Sequence, residues 1–281
     1  MLSLPAPAKV NLFLHITGRR DDQYHNLETL FQILDFGDTL HFEPHDSTEI
    51  QLQSNIKNVD PEDNLVVKAA RLLQQETNCA LGANIALKKV LPLGGGIGGG
   101  SSDAATTLLA LNKLWSLELS VDKLAAIGIK LGADVPVFVR GQTAYAKGIG
   151  EDLSPVNLPE RWFLVVTPNV GVSTGKIFSH PQLTRDTPTI KIPPLAVEGG
   201  QNDCQAVVEM LYPEVVETRL WMEQYNAAFM TGTGASLFSI FANKPEAEKV
   251  LRRVPETWNC FIARGVNQSP AHSALGVLAL K

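Results

Sequence analysis

Cysteine is scarce in this chain: three in 281 residues, at Cys79, Cys204 and Cys260. They are odd in number, far apart and form no C-x-x-C. That excludes a disulfide framework and a cysteine zinc site, and it fits a reducing cytosol. Dense runs of Lys or Arg are missing as well. With 24 basic against 29 acidic residues and a formal net charge of −5, the composition argues against a nucleic-acid backbone or an anionic membrane as the main partner, while leaving room for a local basic pocket for phosphate. No apolar stretch approaches the roughly 20 residues that a membrane helix needs. The first residues, MLSLPAPAKVNLFLHI, are apolar but carry Pro5 and Pro7 and no basic n-region. They read as a strand rather than a signal or transit peptide, so a cytoplasmic location is expected. No internal repeat is present.

What the chain does have is an ordinary globular composition, 44% hydrophobic, at a length that predicts one large or two moderate domains. From Val10, the residues Leu12, Leu14 and Ile16 alternate with Asn11, His15 and Thr17. This period of two predicts a strand with one buried face. TLHFEP and TEIQLQ predict further strands of a sheet-rich first half. PEDNLVVKAARLLQQET then changes to helical spacing, with Leu65, Ala69 and Leu72 on one face and Asp63 or Asn64 as the N-cap. NIALKKV predicts a short strand, and SSDAATTLLALNKLW and VDKLAAIGIKLG predict helices. SPVNLPERW, at 154–162, carries two prolines and marks a boundary; beyond it WFLVVTP, ASLFSIFA and NCFIARGV predict strands between helical segments. The expected fold class is α+β in two domains, residues 1–155 and 156–281.

Between NIALKKV and the next helix lies LPLGGGIGGGSSDAA, with six glycines in the seven positions 94–100. Each glycine loses more backbone entropy on folding than any other residue, so such a run needs a reason. Strand, glycine loop and helix together make an anion site: N–H groups approach a phosphate closely and the helix adds its positive end. A tight turn that only packs helix on sheet would need one or two glycines. The Walker pattern fails, because Gly100 is followed by Ser101 where Lys-Ser/Thr is required. Gly94-x-Gly96-x-x-Gly99 matches the dinucleotide fingerprint formally, but Glu118 and Asp122 fall in or beside helices rather than at a strand end. The DFG at 35–37 precedes the loop and lacks the other protein-kinase segments.

The pattern P-x-GGG-x-GGGSS-x-A resembles the phosphate loop of the GHMP kinases. PAPAKVNLFLHITGRRDDQYH and MTGTGASLFSIF, at 230–241, resemble the first and third motifs of that family in the right order, and LGADVPVFVRG at 131–141 completes the set. The likeness spans nearly the whole chain, including EDNLVVKAARLL and GVNQSP. One departure is Gln23, where the first motif usually has glycine; if that glycine takes a positive φ, Gln23 costs about 1–2 kcal/mol. The resemblance implies a two-domain fold with the active site in the interdomain cleft, ATP and Mg²⁺ as cofactors, and a small-molecule acceptor, a cytidyl diphosphate sugar alcohol. No nucleic acid, no membrane and no protein metal site are expected. His41 and His45 share i,i+4 spacing, but Pro44 between them spoils a helical metal pair.

By the same resemblance Asp134 takes the proton of the acceptor hydroxyl and Lys9 pairs with it, keeping Asp134 ionised and countering charge on the attacking oxygen. Read from the residues alone, Asp134 is equally a helix cap or a solvated carboxylate, and Lys9 a solvated charge at a strand end. Both being present argues against a catalytically silent ligand-binding member of the fold. Pro92, Gly94, Gly95, Gly96, Gly98, Gly99 and Gly100 are expected around ATP, where a side chain at Gly98 or Gly99 would block backbone approach to the phosphates. Ser101 and Ser102 can cap the following helix while also reaching phosphate or Mg²⁺. Asp103 suits the helix dipole. Asn64 and Lys89 match positions facing the adenosine, though ordinary surface roles fit both. Asn11, Tyr24, His25 and Phe178 are expected on the acceptor: Tyr24 and Phe178 stacked on the two faces of the cytosine, His25 on its edge. Phe178 as a core aromatic is the alternative. Thr231, with Gly232 and Gly234, reads as a second loop of close approach.

Overall fold

The computed structural model describes residues 1–22, 24–56, 60–190 and 199–276, so Gln23 and its turn conformation lie outside the described residues. The chain opens on two long antiparallel strands, β1 (Leu2–Arg19) and β2 (His25–His45), paired from Leu2↔Phe42 to Arg19↔His25. TLHFEP is the far half of β2, not a separate strand. The ladder shifts between Pro7 and Lys9, where proline has no N–H to give and a bulge absorbs the loss. Residues 6–14 of β1 are buried without a break. The alternation read from the sequence is real, but its polar face, with Lys9 and Asn11 each 2% exposed, is not a solvent face.

β3 (Ile50–Ser54) lies parallel to β4 (Gly82–Lys88), which is antiparallel to β2. Between β3 and β4 runs α1 (Leu65–Thr77), started by Asn64, whose Oδ1 accepts from Val66 N at 2.9 Å, and stopped by Asn78 in the left-handed conformation. The glycine loop leads into α2 (Gly99–Leu114), followed by α3 (Val121–Gly128) and α4 (Val135–Arg140). Ten residues of α2, Ser102 to Leu111, are buried, so this helix sits inside its layer rather than on it. β5 (Ala144–Lys147) pairs with the near half of β2 and with β6 (Asp152–Pro155). Leu4, Phe42, Val66, Leu73, Leu108 and Phe138 belong to the core between these helices and the sheet.

The second half supplies β7 (Trp162–Thr167), α5 (Thr174–Phe178), α6 (Gln205–Leu211), α7 (Pro213–Met222), β8 (Phe229–Met230), β9 (Leu237–Phe241), α8 (Lys244–Leu251), β10 (Asn259–Val266) and α9 (Pro270–Leu275). The second core gathers Leu164, Val166, Ile177, Val208, Met222, Leu237 and Val250, together with Leu14 and Ile16 of β1. The two halves share one sheet in the order β3-β4-β2-β10-β7-β9-β8, because β10 pairs with both β2 and β7. A third cluster, with Val10, Leu12, Leu34, Ile97, Phe163 and Phe238, fills the junction. The last helix crosses back, and Leu275 packs in the first core.

Candidate active site

β1 delivers Lys9 and Asn11 to the junction of the two halves. The Lys9 N–H donates to the Ile97 carbonyl at 3.0 Å, which ties the strand to the glycine loop. Its ammonium donates to Asn11 Oδ1 at 2.6 Å and to the Gly96 carbonyl at 3.2 Å, and it stands 3.1 Å from Asp134 Oδ2. The Phe31 ring centroid is 5.1 Å away. A buried ammonium is costly unless it is paired and hydrogen-bonded, and this one is both. Asn11 is fixed in turn, since its Nδ2 donates to Thr29 Oγ1 at 2.8 Å and its N–H to Thr231 Oγ1 at 2.9 Å.

Asp134 reaches the same point from the start of α4. It holds the cap position but makes no cap bond with its side chain. The side chain is 35% exposed, against 2% for Lys9. Neither the solvated strand-end lysine nor the capping carboxylate survives this geometry. What remains is a fixed cation beside a carboxylate that a ligand can reach.

Gly94, Gly96 and Gly98 have positive φ of 67, 73 and 75°, which glycine alone adopts freely. Gly96 is also a site of close approach: a Cβ there would lie 2.5 Å from the Thr231 carbonyl. Ser236 N donates to the Gly95 carbonyl at 3.1 Å, so the 231–236 loop is sewn onto the glycine loop. Gly98 corrects the expectation stated for it, because its Cβ would meet the Phe138 ring at 2.7 Å and Lys9 Cγ at 3.1 Å. Protein, not phosphate, fills that direction. Ser101 and Ser102 are corrected as caps: Gly98 holds the cap position of α2 and has no side chain to cap with. The first-turn N–H groups, which have no partner within a helix, are therefore left to the loop's concave side. Ser102 Oγ is buried without a partner among the described residues.

Lys89 is turned inward. Its ammonium lies 2.6 Å from both Asp38 Oδ2 and Asp103 Oδ2, in a triad that is almost wholly buried. Asp38 Oδ1 accepts from Val90 N and Leu91 N, so the triad anchors the start of the loop. Burial pushes the Asp103 carboxyl up to about 7, against the pull of Lys89 and with Asp38 adding to the rise. Asp103 therefore does more than suit a helix dipole. Asn64 uses its Oδ1 on the α1 cap, and Pro92 packs near Gly95, whose Cβ would sit 3.5 Å from Pro92 Cγ. Gly99 and Gly100 form the first turn of α2, over Leu91 and Leu65.

A cavity of about 560 Å³ opens in front of Lys9 and Asp134. Asn11, Gly96, Ser101, Tyr24, His25 and Phe178 line it, so the acceptor residues and the catalytic pair expected from the sequence converge on one space; Asn64, Lys89 and Pro92 are not among its walls. His25 is 7% exposed and its ring stacks on Phe178 at 5.2 Å. Tyr24 is 58% exposed. Phe178 is half-buried against the second core, so its core role and its place in the cavity wall hold together. Burial, then the Arg185 and Arg19 cations, hold His25 below the usual imidazole value.

Three contributors escaped the sequence reading. Thr29 fixes Asn11, Asn202 holds the Met230 and Gly232 carbonyls at 2.9 Å each, and Arg185 donates to His25. Asn202 and Asp203 follow a glycine pair in GGQNDC, a weak signal; only burial, 5% and 4% exposed, marks them as structural.

Comparison with known proteins shows what the chain is similar to. The family model described as GHMP kinases N terminal domain matches residues 64–142, and the one described as GHMP kinases C terminal matches 192–260. The 4-diphosphocytidyl-2-C-methyl-D-erythritol kinase of Pseudomonas syringae pv. syringae is 55% identical over 277 residues, covering 99% of this chain and 98% of that protein. The protein of the same name from Ectopseudomonas mendocina is 55% identical over 280 residues, 100% of this chain and 96% of that one. A crystal structure of 4-(cytidine 5'-diphospho)-2C-methyl-D-erythritol kinase superposes with a TM-score of 0.81 at 32% identity, covering 94% of this chain and 100% of that one. A mevalonate kinase, at 16% identity and a TM-score of 0.69 with 95% and 100% covered, shares the fold.

Proposed function

The chain belongs to the GHMP kinases and, within them, to the 4-diphosphocytidyl-2-C-methyl-D-erythritol kinase family, and from this we infer that it transfers the γ-phosphate of ATP to the 2-hydroxyl of that diphosphocytidyl alcohol, in the methylerythritol phosphate route to isoprenoids. The observation that carries the chemistry is the pair Lys9–Asp134, 3.1 Å apart at the cavity wall beside the glycine loop. Asp134 accepts the proton of the attacking hydroxyl. The Lys9 ammonium, held by Asn11 and the Gly96 carbonyl, stabilises the negative charge that develops on that oxygen. The N–H groups of the loop and of the first turn of α2 hold the transferring phosphates, so catalysis is positioning plus electrostatics. Gly94, Gly95, Gly96 and Gly98 shape that cradle, while Gly99, Gly100 and Ser101 present the helix start. Lys89 acts from beneath it, and Asn64 and Pro92 flank the nucleotide side.

Among the described residues no group of three or more His, Cys, Asp or Glu could hold a metal. Mg²⁺ needs none here, because it binds through substrate phosphates and one or two protein oxygens. Ser101, which lines the cavity, and the adjacent Ser102, whose buried hydroxyl has no partner among the described residues, fit that demand and would hold it. Mg²⁺ would neutralise phosphate charge when bound. Tyr24 and Phe178 take the cytosine between them and His25 reads its edge. The division into residues 1–155 and 156–281 is supported by most of each core coming from one half, although Leu14 and Ile16 of β1 pack in the second core and α9 returns to the first. No helix among the described residues is long and apolar enough to cross a membrane, and the three free cysteines together with ATP as donor support a cytosolic location.

The test is ADP formation by the purified protein with ATP and the diphosphocytidyl alcohol. Substrate-dependent ADP release is expected; release that is indifferent to the acceptor, or none, contradicts the proposal.

A further inference from the structure

The imidazole of His25 has a partner that fixes its proton. Arg185 Nε lies 3.0 Å from His25 Nε2. A guanidinium has donors only and does not lose its proton, so Nε2 must be the acceptor and the ring proton must be on Nδ1. Arg185 cannot swing away, because its Nη1 donates to the Leu183 carbonyl at 3.0 Å and its Nη2 to the Phe178 and His180 carbonyls at 2.9 and 2.8 Å. One of those carbonyls belongs to the residue on whose ring His25 stacks. A single side chain thus sets the plane of the imidazole and the place of its proton. The charged groups facing His25 are Arg185 from beyond α5 and Arg19, its pair on β1; Asp22 in the turn between the strands is held by Arg20. Burial and two cations hold its pKa below the usual value, and with Nε2 accepting from Arg185 the ring carries its one proton on Nδ1, left to offer the cavity.

We propose that Arg185 is a specificity-determining positioning residue: by locking His25 as an Nδ1–H donor it makes the cavity select cytosine over uracil. This rests on the reading that the cavity holds the cytosine. N3 of cytosine is an acceptor, whereas N3 of uracil carries a hydrogen. A fixed donor bonds the first and meets the second N–H to N–H. A neutral imidazole without Arg185 moves its proton to Nε2 at little cost, so Nδ1 can then accept from uracil. A site built to bond one group rejects an analogue that leaves buried polar atoms unpaired, and the rejection lasts only as long as the site cannot adapt.

The experiment compares wild type with Arg185→Met, measuring kcat/KM for the cytidyl diphosphate alcohol and for its uridyl analogue. ¹⁵N NMR of the His25 ring in the whole, substrate-free protein is the second readout. Wild type is expected to show a protonated Nδ1, a bare Nε2 and a strong preference for the cytidyl compound. In Arg185→Met the Nε2–H form is expected to appear and the cytidyl-to-uridyl ratio to fall by about 10–100-fold, with KM for ATP unmoved. Arg185→Gln, whose amide can bond the carbonyls and either give to or take from Nε2, is a second variant with the same expectation. A wild-type ring protonated at Nε2 overturns the proposal. So does an equal loss on both bases, which would make Arg185 a mere support for α5. A wild type that phosphorylates neither compound overturns the cytosine reading as well, and so is distinguishable from a failed lock.

Discussion

Asp134 and Lys9 are 125 positions apart in the chain and 3.1 Å apart in the fold. Asp134→Asn keeps the shape and removes the basicity, so kcat is expected to drop about 10²–10⁴-fold, the usual worth of a general base. KM for ATP should stay put; steady-state kinetics at saturating acceptor checks it, and a drop below about tenfold would leave positioning alone to explain the rate. Tyr24 and Phe178 should behave differently from each other. Losing a stacking partner is worth about 1–3 kcal/mol per base, so either alanine variant should raise KM for the cytidyl substrate by roughly 5–150-fold with KM for ATP nearly unchanged. Tyr24, 58% exposed, should do this with no change in thermal stability, whereas Phe178→Ala should also lower Tm because its ring leans on the second core. The motifs made Lys9, Asp134, Tyr24 and His25 legible in the sequence, since each sits in a patterned stretch, whereas Phe178 was expected only from the resemblance. Arg185 was not, because an arginine whose partners are carbonyls and an imidazole leaves no periodicity to read.

The glycine loop and α2 show how one segment carries two kinds of constraint. Gly98→Val puts a branched side chain at a φ of +75° and against the Phe138 ring. Folding itself is expected to suffer, seen as a large fall in Tm or loss of soluble protein. Gly94 has a φ of +67° but nothing within 4 Å of its added Cβ. Gly94→Ala should fold at a cost of about 1–2 kcal/mol, and its functional effect should appear in KM for ATP rather than in KM for the acceptor. Thermal denaturation with the two KM values separates these outcomes. The sequence pattern identified the loop and its following helix. It did not distinguish glycines required by phosphate from glycines required by the neighbouring chain, because that depends on Phe138 and Thr231, which arrive from remote segments. The same reason hid Lys89: a lysine in KKV reads as surface until Asp38 and Asp103 are brought beneath it.

The whole molecule hangs on β2, which pairs with β1, β4, β5 and β10 and so serves both halves. Strands and helices were readable from their periods, and the α+β class with them; the shared sheet was not, because pairing of β10 with β2 joins residues more than 200 positions apart. Fragments 1–155 and 156–281 made separately are therefore expected to stay unfolded by circular dichroism. The second would lack the β2 edge for β10 and the first core for Leu275. A cooperatively folded fragment would show the sheet to be dispensable at the junction. That junction is also where the Lys9–Asp134 pair, the glycine loop and the cavity meet. The most direct measurement of the account is ³¹P NMR of the product formed from ATP and the diphosphocytidyl alcohol by wild type and Asp134→Asn. The account predicts ADP and a new phosphomonoester on the 2-hydroxyl in equal amounts, formed about 10²–10⁴-fold more slowly by the variant. ADP without the phosphomonoester, a phosphate on another oxygen, or an undiminished rate in the variant would contradict it.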